Sequence, residues 1–128
     1  MKISTFNANI RGGIIQFADT ISSQLEHQSR LSKAYYHSEA KTDFSKSRHT
    51  EKYKYSMIAF KHSKNVNNVC KDIMSSDADS VWFLDSTLFS MQTACRIKGK
   101  KQIIITIHDP TPHPTNEKSI KRRFYNLW

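Results

Sequence analysis

The sequence of 128 residues has few of the features that extracellular, membrane or metal-binding proteins need. Its two cysteines, Cys70 and Cys95, lack the spacing of metal ligands, and we interpret them as buried free thiols of a reducing compartment. No apolar run approaches the roughly 18 residues that span a bilayer. The first residues, MKISTFNANIRGG, contain no apolar core of a signal peptide. These absences predict a cytoplasmic protein.

Acidic residues are also scarce. The chain has 11 Asp and Glu against 20 Lys and Arg, a formal net charge of +9. This excess favours an anionic partner, such as nucleic acid, an acidic lipid surface or a phosphorylated ligand, without choosing among them. A hydrophobic share of 38% is that of a globular protein, and the length predicts one domain over residues 1–128.

The periodicity of apolar residues predicts alternating strands and helices. The predicted strands are Lys2–Asn7, Arg30–His37, Tyr55–Phe60, Ser80–Leu84 and Gln102–Ile107. The predicted helices are Ile14–His27, Asn65–Ser76, a helix capped by Ser86 and ended by Gly99, and Asn116–Leu127, while Ser38–Lys54 is predicted to be a polar, basic loop. This order is typical of an α/β fold: an open, Rossmann-like parallel sheet of about five strands in the order 3-2-1-4-5, with helices on both faces.

The first candidate site is Arg11-Gly12-Gly13, between the first strand and the first helix. Adjacent glycines let a ligand approach the main chain, and the N–H groups at a helix N-terminus suit phosphate. Arg11 would add positive charge there. The pattern is neither GxGxxG nor a P-loop, so a simple tight turn with an exposed arginine is the alternative.

The second candidate site follows the strand in KQIIITIHDPTPHP, where His108-Asp109 precede three prolines. Histidine titrates near neutrality and can transfer a proton, whereas the alternative is a structural pair that anchors the loop. Asp85-Ser86 follow the preceding strand. Ligands of such sheets bind at the carboxyl ends of the strands, so we expect the glycine turn, Asp85-Ser86 and His108-Asp109 to face one cleft.

No metal or cofactor is expected at this cleft. His108 and His113 lie five residues apart across prolines and do not form a metal-binding pattern. The other four histidines are scattered along the chain, and we interpret them as solvated side chains.

Three segments together resemble a known family. Gly12-Gly13 after the first strand, the strand DSVWFLD of Asp79–Asp85 and IIITIHDPTPHP of Ile103–Pro114 are similar to the amino-terminal domain of GT-B glycosyltransferases of family four. The resemblance covers nearly the whole chain, and Ile103–Pro114 is its most specific part.

The resemblance implies retaining transfer of a sugar from a nucleotide-sugar donor to a glycan or lipid acceptor, without a metal. It places Gly12 and Gly13 at the donor diphosphate and His108 near the donor sugar. It also implies peripheral attachment to an anionic membrane, for which Lys41–Lys54 is suited. The second domain of such enzymes, with its E-x7-E motif, is not in this sequence. We therefore expect a truncated enzyme that is inactive alone.

Two other readings remain open. A stand-alone basic module would bind nucleic acid through residues 41–64, where Tyr53, Tyr55 and Phe60 alternate with lysines. A receiver or flavodoxin-like domain fits less well, because Asn7 and Asn9 stand where paired acidic residues are expected.

Overall fold

The computed structural model describes residues 1–10, 12–53 and 63–108. These residues build a sheet of five strands: β1 (Ile3–Asn7), β2 (Leu31–His37), β3 (Thr50–Tyr53), β4 (Ser80–Phe83) and β5 (Gln102–Ile105). Within the same ranges lie the helices α1 (Gly13–His27), α2 (Ser63–Ser75) and α3 (Leu88–Ile97) and a 3₁₀ helix at Asp43–Lys46. All strand pairs are parallel, in the order β3-β2-β1-β4-β5. The predicted fold class and strand order are confirmed.

Helices cover both faces of the sheet, as their apolar spacing predicts. Helix α1 buries Ile15, Ala18 and Leu25 against one face. Helices α2 and α3 pack on the other face, where Val66 and Ile73 are fully buried. Near the end of α2, Met74 is exposed and does not join this core.

One strand lies in a segment that the sequence pattern predicts to be a loop. Strand β3 occupies Thr50–Tyr53, inside the predicted loop Ser38–Lys54. Its sequence TEKY lacks apolar alternation because β3 lies at one end of the strand order and pairs through its backbone with β2, from Ala34↔Thr50 to His37↔Tyr53. Charged side chains suit such an edge strand.

Strand β5 is shorter and more exposed than predicted. It ends at Ile105 rather than Ile107, and its side chains alternate between exposed and half-buried. The half-buried Ile103 and Ile105 face α2 and α3. Ile104 is 37% exposed because β5 lies at the other end of the strand order.

The cap of α3 differs from the prediction by one residue. The hydroxyl of Thr87, not that of Ser86, accepts a hydrogen bond from the Ser90 backbone at 3.3 Å. Gly99 follows the helix with φ +85°, as a terminating glycine should.

Two predicted elements, the strand Tyr55–Phe60 and the helix Asn116–Leu127, lie outside the described residues. Within the described ranges, no helix combines the length and the apolarity that crossing a membrane requires.

Candidate functional site

Three strands end together at the edge of the sheet where a ligand is predicted to bind. Strands β1 and β4 run in register from Ile3↔Ser80 to Phe6↔Phe83, and β5 ends beside β4 at Phe83↔Ile105. Because all strands are parallel, the segments that follow them leave from one edge. We call the group formed there by Asn7, Gly12, Gly13 and His108 the carboxyl-edge site.

The glycine turn opens α1 without a side-chain cap. Gly12 is the N-cap residue, with φ 94° and ψ −175°, a backbone conformation that is essentially restricted to glycine. The first turn of α1 contains no acidic residue, and no side chain of the described residues caps its backbone N–H groups. A Cβ atom placed on Gly12 or Gly13 would meet no atom of the described residues within 4 Å. Among these residues, none occupies the space at the helix N-terminus that a phosphate would need.

Asn7 lies beside this turn, at the end of β1. Its side chain belongs to the α1 face of the sheet, because Thr5, two residues earlier, exchanges a 2.7 Å hydrogen bond with Ser22 of α1. Asn7 is 1% exposed, and its Oδ1 accepts from the Asn9 backbone at 3.1 Å. Its Nδ2 has no acceptor among the described residues. A buried donor without a partner is costly, which makes Asn7 Nδ2 a candidate donor to a ligand at this edge.

His108 is oriented by the strand next to it. Its Nε2 lies 2.6 Å from the carbonyl oxygen of Leu84. A carbonyl only accepts hydrogen bonds, so Nε2 carries a proton and Nδ1 is the acceptor of the neutral ring. The ring of Phe17 meets the His108 ring edge-on, with centroids 5.2 Å apart. Because Phe17 lies in the second turn of α1, the helix that starts at the glycine turn also contacts His108.

Asp85 does not reach the surface of this edge. It is fully buried, and its Oδ1 accepts hydrogen bonds from Ala8 N at 3.3 Å and from Ser90 Oγ at 2.5 Å. Burial raises the pKa of its carboxyl, and its Oδ2 has no partner among the described residues. Asp85 thus ties the segment before the glycine turn to α3. Ser86 is half-buried beside it.

Not every predicted site residue can be placed. Arg11 and Asp109 lie outside the described residues, as does His113. His37 is buried and accepts a hydrogen bond from the Glu39 backbone at 3.0 Å, and His49 contacts Glu26. In the described part of the chain, no group of three His, Cys, Asp or Glu side chains is placed to hold a metal ion.

The contributions of Asn7 and Phe17 to this edge were not predicted from the sequence. A polar residue that ends an apolar strand just before a glycine turn was a usable signal for Asn7. The contact of Phe17 with His108 had no local signal, because it joins residues 91 positions apart.

The aromatic residues of the predicted nucleic-acid surface are only partly placed. Tyr53 packs against Tyr35, with ring centroids 6.1 Å apart, and burial raises its pKa to about 12. The ring of Tyr53 therefore packs against other residues of the fold instead of standing free to stack on a base. Tyr55 and Phe60 lie outside the described residues.

Comparison of the chain with protein-family models, curated proteins and solved structures finds no match.

Proposed function

We propose that this chain forms the amino-terminal wall of a retaining glycosyltransferase of the GT-B type, which transfers a sugar from a nucleotide-sugar donor to a glycan or lipid acceptor. The observation that carries the proposal is the convergence of the two motif segments. Helix α1 begins at Gly12-Gly13, and its Phe17 touches the ring of His108. Gly12-Gly13 and His108 thus lie at one edge of a sheet in the order 3-2-1-4-5, which supports the proposal.

Each group at the carboxyl-edge site has a role in this proposal. The N–H groups at the start of α1 bind a donor phosphate, which approaches closely because Gly12 and Gly13 have no side chains. The Nδ2 of Asn7, which has no acceptor among the described residues, donates to an oxygen of the nucleotide sugar. His108, held through Nε2 by Leu84, presents its Nδ1 to a hydroxyl of the donor sugar.

Binding is expected of this chain without turnover. The described part supplies one wall of a cleft, and rate acceleration in sugar transfer depends on holding both reactants in one geometry. A second α/β domain would supply the opposite wall in such an enzyme. The acceptor and a peripheral membrane contact remain part of the same proposal, the latter through the exposed Lys41, Lys46 and Lys52.

Titration with a panel of UDP-, GDP- and ADP-sugars, followed by the backbone NMR signals of Gly12, Gly13 and His108, tests this function. We expect at least one nucleotide sugar to shift all three signals. The variant His108→Ala should bind about tenfold more weakly, because one hydrogen bond of roughly 1.4 kcal/mol is lost. His27→Ala is the matched control, since His27 is exposed at the opposite end of α1 and should leave binding unchanged.

The competing function is a basic module for nucleic acid. Short DNA should then bind with an affinity that falls steeply with salt, since Lys and Arg contacts release counterions from the phosphates. That result, together with no response to any nucleotide sugar, would reject the glycosyltransferase proposal.

A further inference from the structure

An open cleft of about 420 Å³ lies at the edge of the sheet opposite the carboxyl-edge site. It is formed where α1 ends and where β1, β2 and β3 begin. Its polar lining residues are Lys2, Glu26, Ser29, Ser47, Arg48 and His49. We call it the amino-edge cleft. The length of β1, about 16 Å, separates it from the glycine turn.

The charges of the amino-edge cleft leave a positive excess. Glu26 is its carboxylate, and Glu26 Oε2 already accepts from Ser47 Oγ at 2.5 Å and from His49 Nδ1 at 3.0 Å. The Ser47 hydrogen bond, followed by that of His49, holds the pKa of Glu26 below its usual value. Arg48 is exposed and forms no ion pair with any described residue. Its guanidinium is therefore available to an anion.

Lys2 adds a second cation and compensates the end of α1. Its Nζ donates to the Ser29 carbonyl at 3.1 Å, which uses one of its three hydrogens. Backbone hydrogen bonds from Ser29 N to Glu26 O (3.0 Å) and from Arg30 N to Leu25 O (2.8 Å) satisfy two of the last carbonyls of the helix. These bonds and the charge of Lys2 reduce the repulsion that the negative end of the helix would exert on an anion.

Ser29 occupies an unusual position in the wall of this cleft. Three described residues have positive φ: Gly12 and Gly99, which are glycines, and Ser29, with φ 57°. Glycine is the favoured residue at such a helix end, and a side chain there costs about 1 kcal/mol. Ser29 is the one of these three residues that has a side chain, and it is also the one that lines the cleft. Backbone strain of this kind is concentrated at functional sites.

We propose that the amino-edge cleft binds a small phosphorylated molecule, with the phosphate held by Arg48 and Lys2 and by the hydroxyl of Ser29. A guanidinium binds phosphate through two parallel hydrogen bonds, and an ammonium adds a compact charge. The volume lies within the range of small-molecule pockets, about 300–1,000 Å³, and Leu31 provides an apolar wall for the rest of the ligand. This site is independent of the proposed glycosyltransferase function.

NMR titration of the full chain with inorganic phosphate and with glycerol 3-phosphate tests the proposal. We expect shifts at Ser29–Leu31 and Arg48–His49, with tighter binding of glycerol 3-phosphate because its carbon skeleton contacts Leu31. Arg48→Gln should weaken binding at least tenfold. Arg30→Gln is the matched control, an exposed arginine at the same edge that does not line the cleft, and should leave affinity unchanged.

Ser29→Gly separates a ligand role from a structural one. Glycine adopts a positive φ without strain, so this variant should unfold at a higher urea concentration than the unmodified protein. Because the hydroxyl is lost, it should nevertheless bind glycerol 3-phosphate several-fold more weakly. Unchanged affinity in Ser29→Gly would remove Ser29 from the site. Equal weakening by Arg48→Gln and Arg30→Gln, or shifts confined to Gly12 and Gly13, would overturn the proposal, because binding would then be diffuse or at the other edge. Binding only to vesicles that contain phosphatidic acid would likewise reject a small-molecule site.

Discussion

Replacing Gly12 with alanine should destabilise the fold, whereas the same change at Gly13 should stabilise it. Gly12 has φ 94° and ψ −175°, where a residue with a Cβ is strained by about 1–3 kcal/mol. Gly13 is the first residue of α1 and has no positive φ, and a Cβ atom there would meet no atom of the described residues within 4 Å. Alanine there reduces the freedom of the unfolded chain and should add up to about 1 kcal/mol.

Urea unfolding monitored by circular dichroism measures the difference. With a slope of about 2 kcal/mol per molar urea, a loss of 2 kcal/mol at Gly12 lowers the midpoint by about 1 M, and Gly13→Ala raises it by up to about 0.5 M. Gly13→Ala should also weaken nucleotide-sugar binding, because the new methyl group occupies the space above the helix N-terminus. Midpoints of the two variants that fall together, or a larger loss at Gly13, would refute the turn geometry.

The remaining predictions concern buried polar groups and a helix cap. Burial raises the pKa of Asp85 in the folded state, so the folded protein binds the carboxyl proton more tightly than the unfolded chain does. The contribution of Asp85 to the free energy of unfolding therefore falls as the pH rises above 3.8, the ordinary pKa of the group. Asp85→Asn should abolish that loss in pH-dependent urea unfolding, and identical pH profiles for the two proteins would contradict it. The hydroxyls of Tyr35 and Tyr36 donate to Asp72 and Asp19 at 2.6 and 2.7 Å, and burial raises the pKa of both above 10.0. Their contribution to stability is complete below pH 10.0 and is lost above it, so the phenolate absorbance of Tyr35 and Tyr36 should rise together with cooperative unfolding, not gradually in a folded protein. Thr87→Ala should lower the free energy of unfolding by about 1 kcal/mol, because α3 loses its cap, and Ser86→Ala should lower it little. A larger loss for Ser86→Ala would instead indicate that Ser86 caps the helix, as predicted from the sequence.

The fold was predictable because its strongest signals are local. Continuous apolar runs indicate β4 and β5. The apolar residues Ile14, Ala18, Ile21 and Leu25, spaced by four, three and four positions, indicate α1. The alternation of strands and helices along the chain then leaves few possible arrangements of a parallel sheet. Strand β3 escaped prediction because an edge strand held by backbone hydrogen bonds needs no apolar pattern. The cap of α3 was predicted one residue too early because Ser86 and Thr87 are both capping residue types. The structure shows that the hydroxyl of Thr87 accepts from the Ser90 backbone.

The candidate site was predictable only in outline. Topology placed the glycine turn and His108 at one edge, since parallel strands share their carboxyl ends. The proton on Nε2 of His108 follows from its contact with the carbonyl of Leu84, 24 residues away, and no local pattern encodes such a contact. The positive φ of Ser29 belongs to a local helix end, but its serine replaces the glycine that would have marked the position in the sequence.

The central position of β1 has a consequence for how the chain is made. Hydrogen bonds join Lys2 N to Asp79 and Ala8 N to Asp85, each across 77 residues. A ribosome adds about 5–20 residues per second, so about 4–15 s pass between synthesis of β1 and synthesis of its partner β4. During that interval β1 and β2 can pair while the other side of β1 has no neighbour. The centre of the completed sheet is therefore an exposed strand edge in the nascent chain. Non-native strand pairing and aggregation are most favoured during this interval.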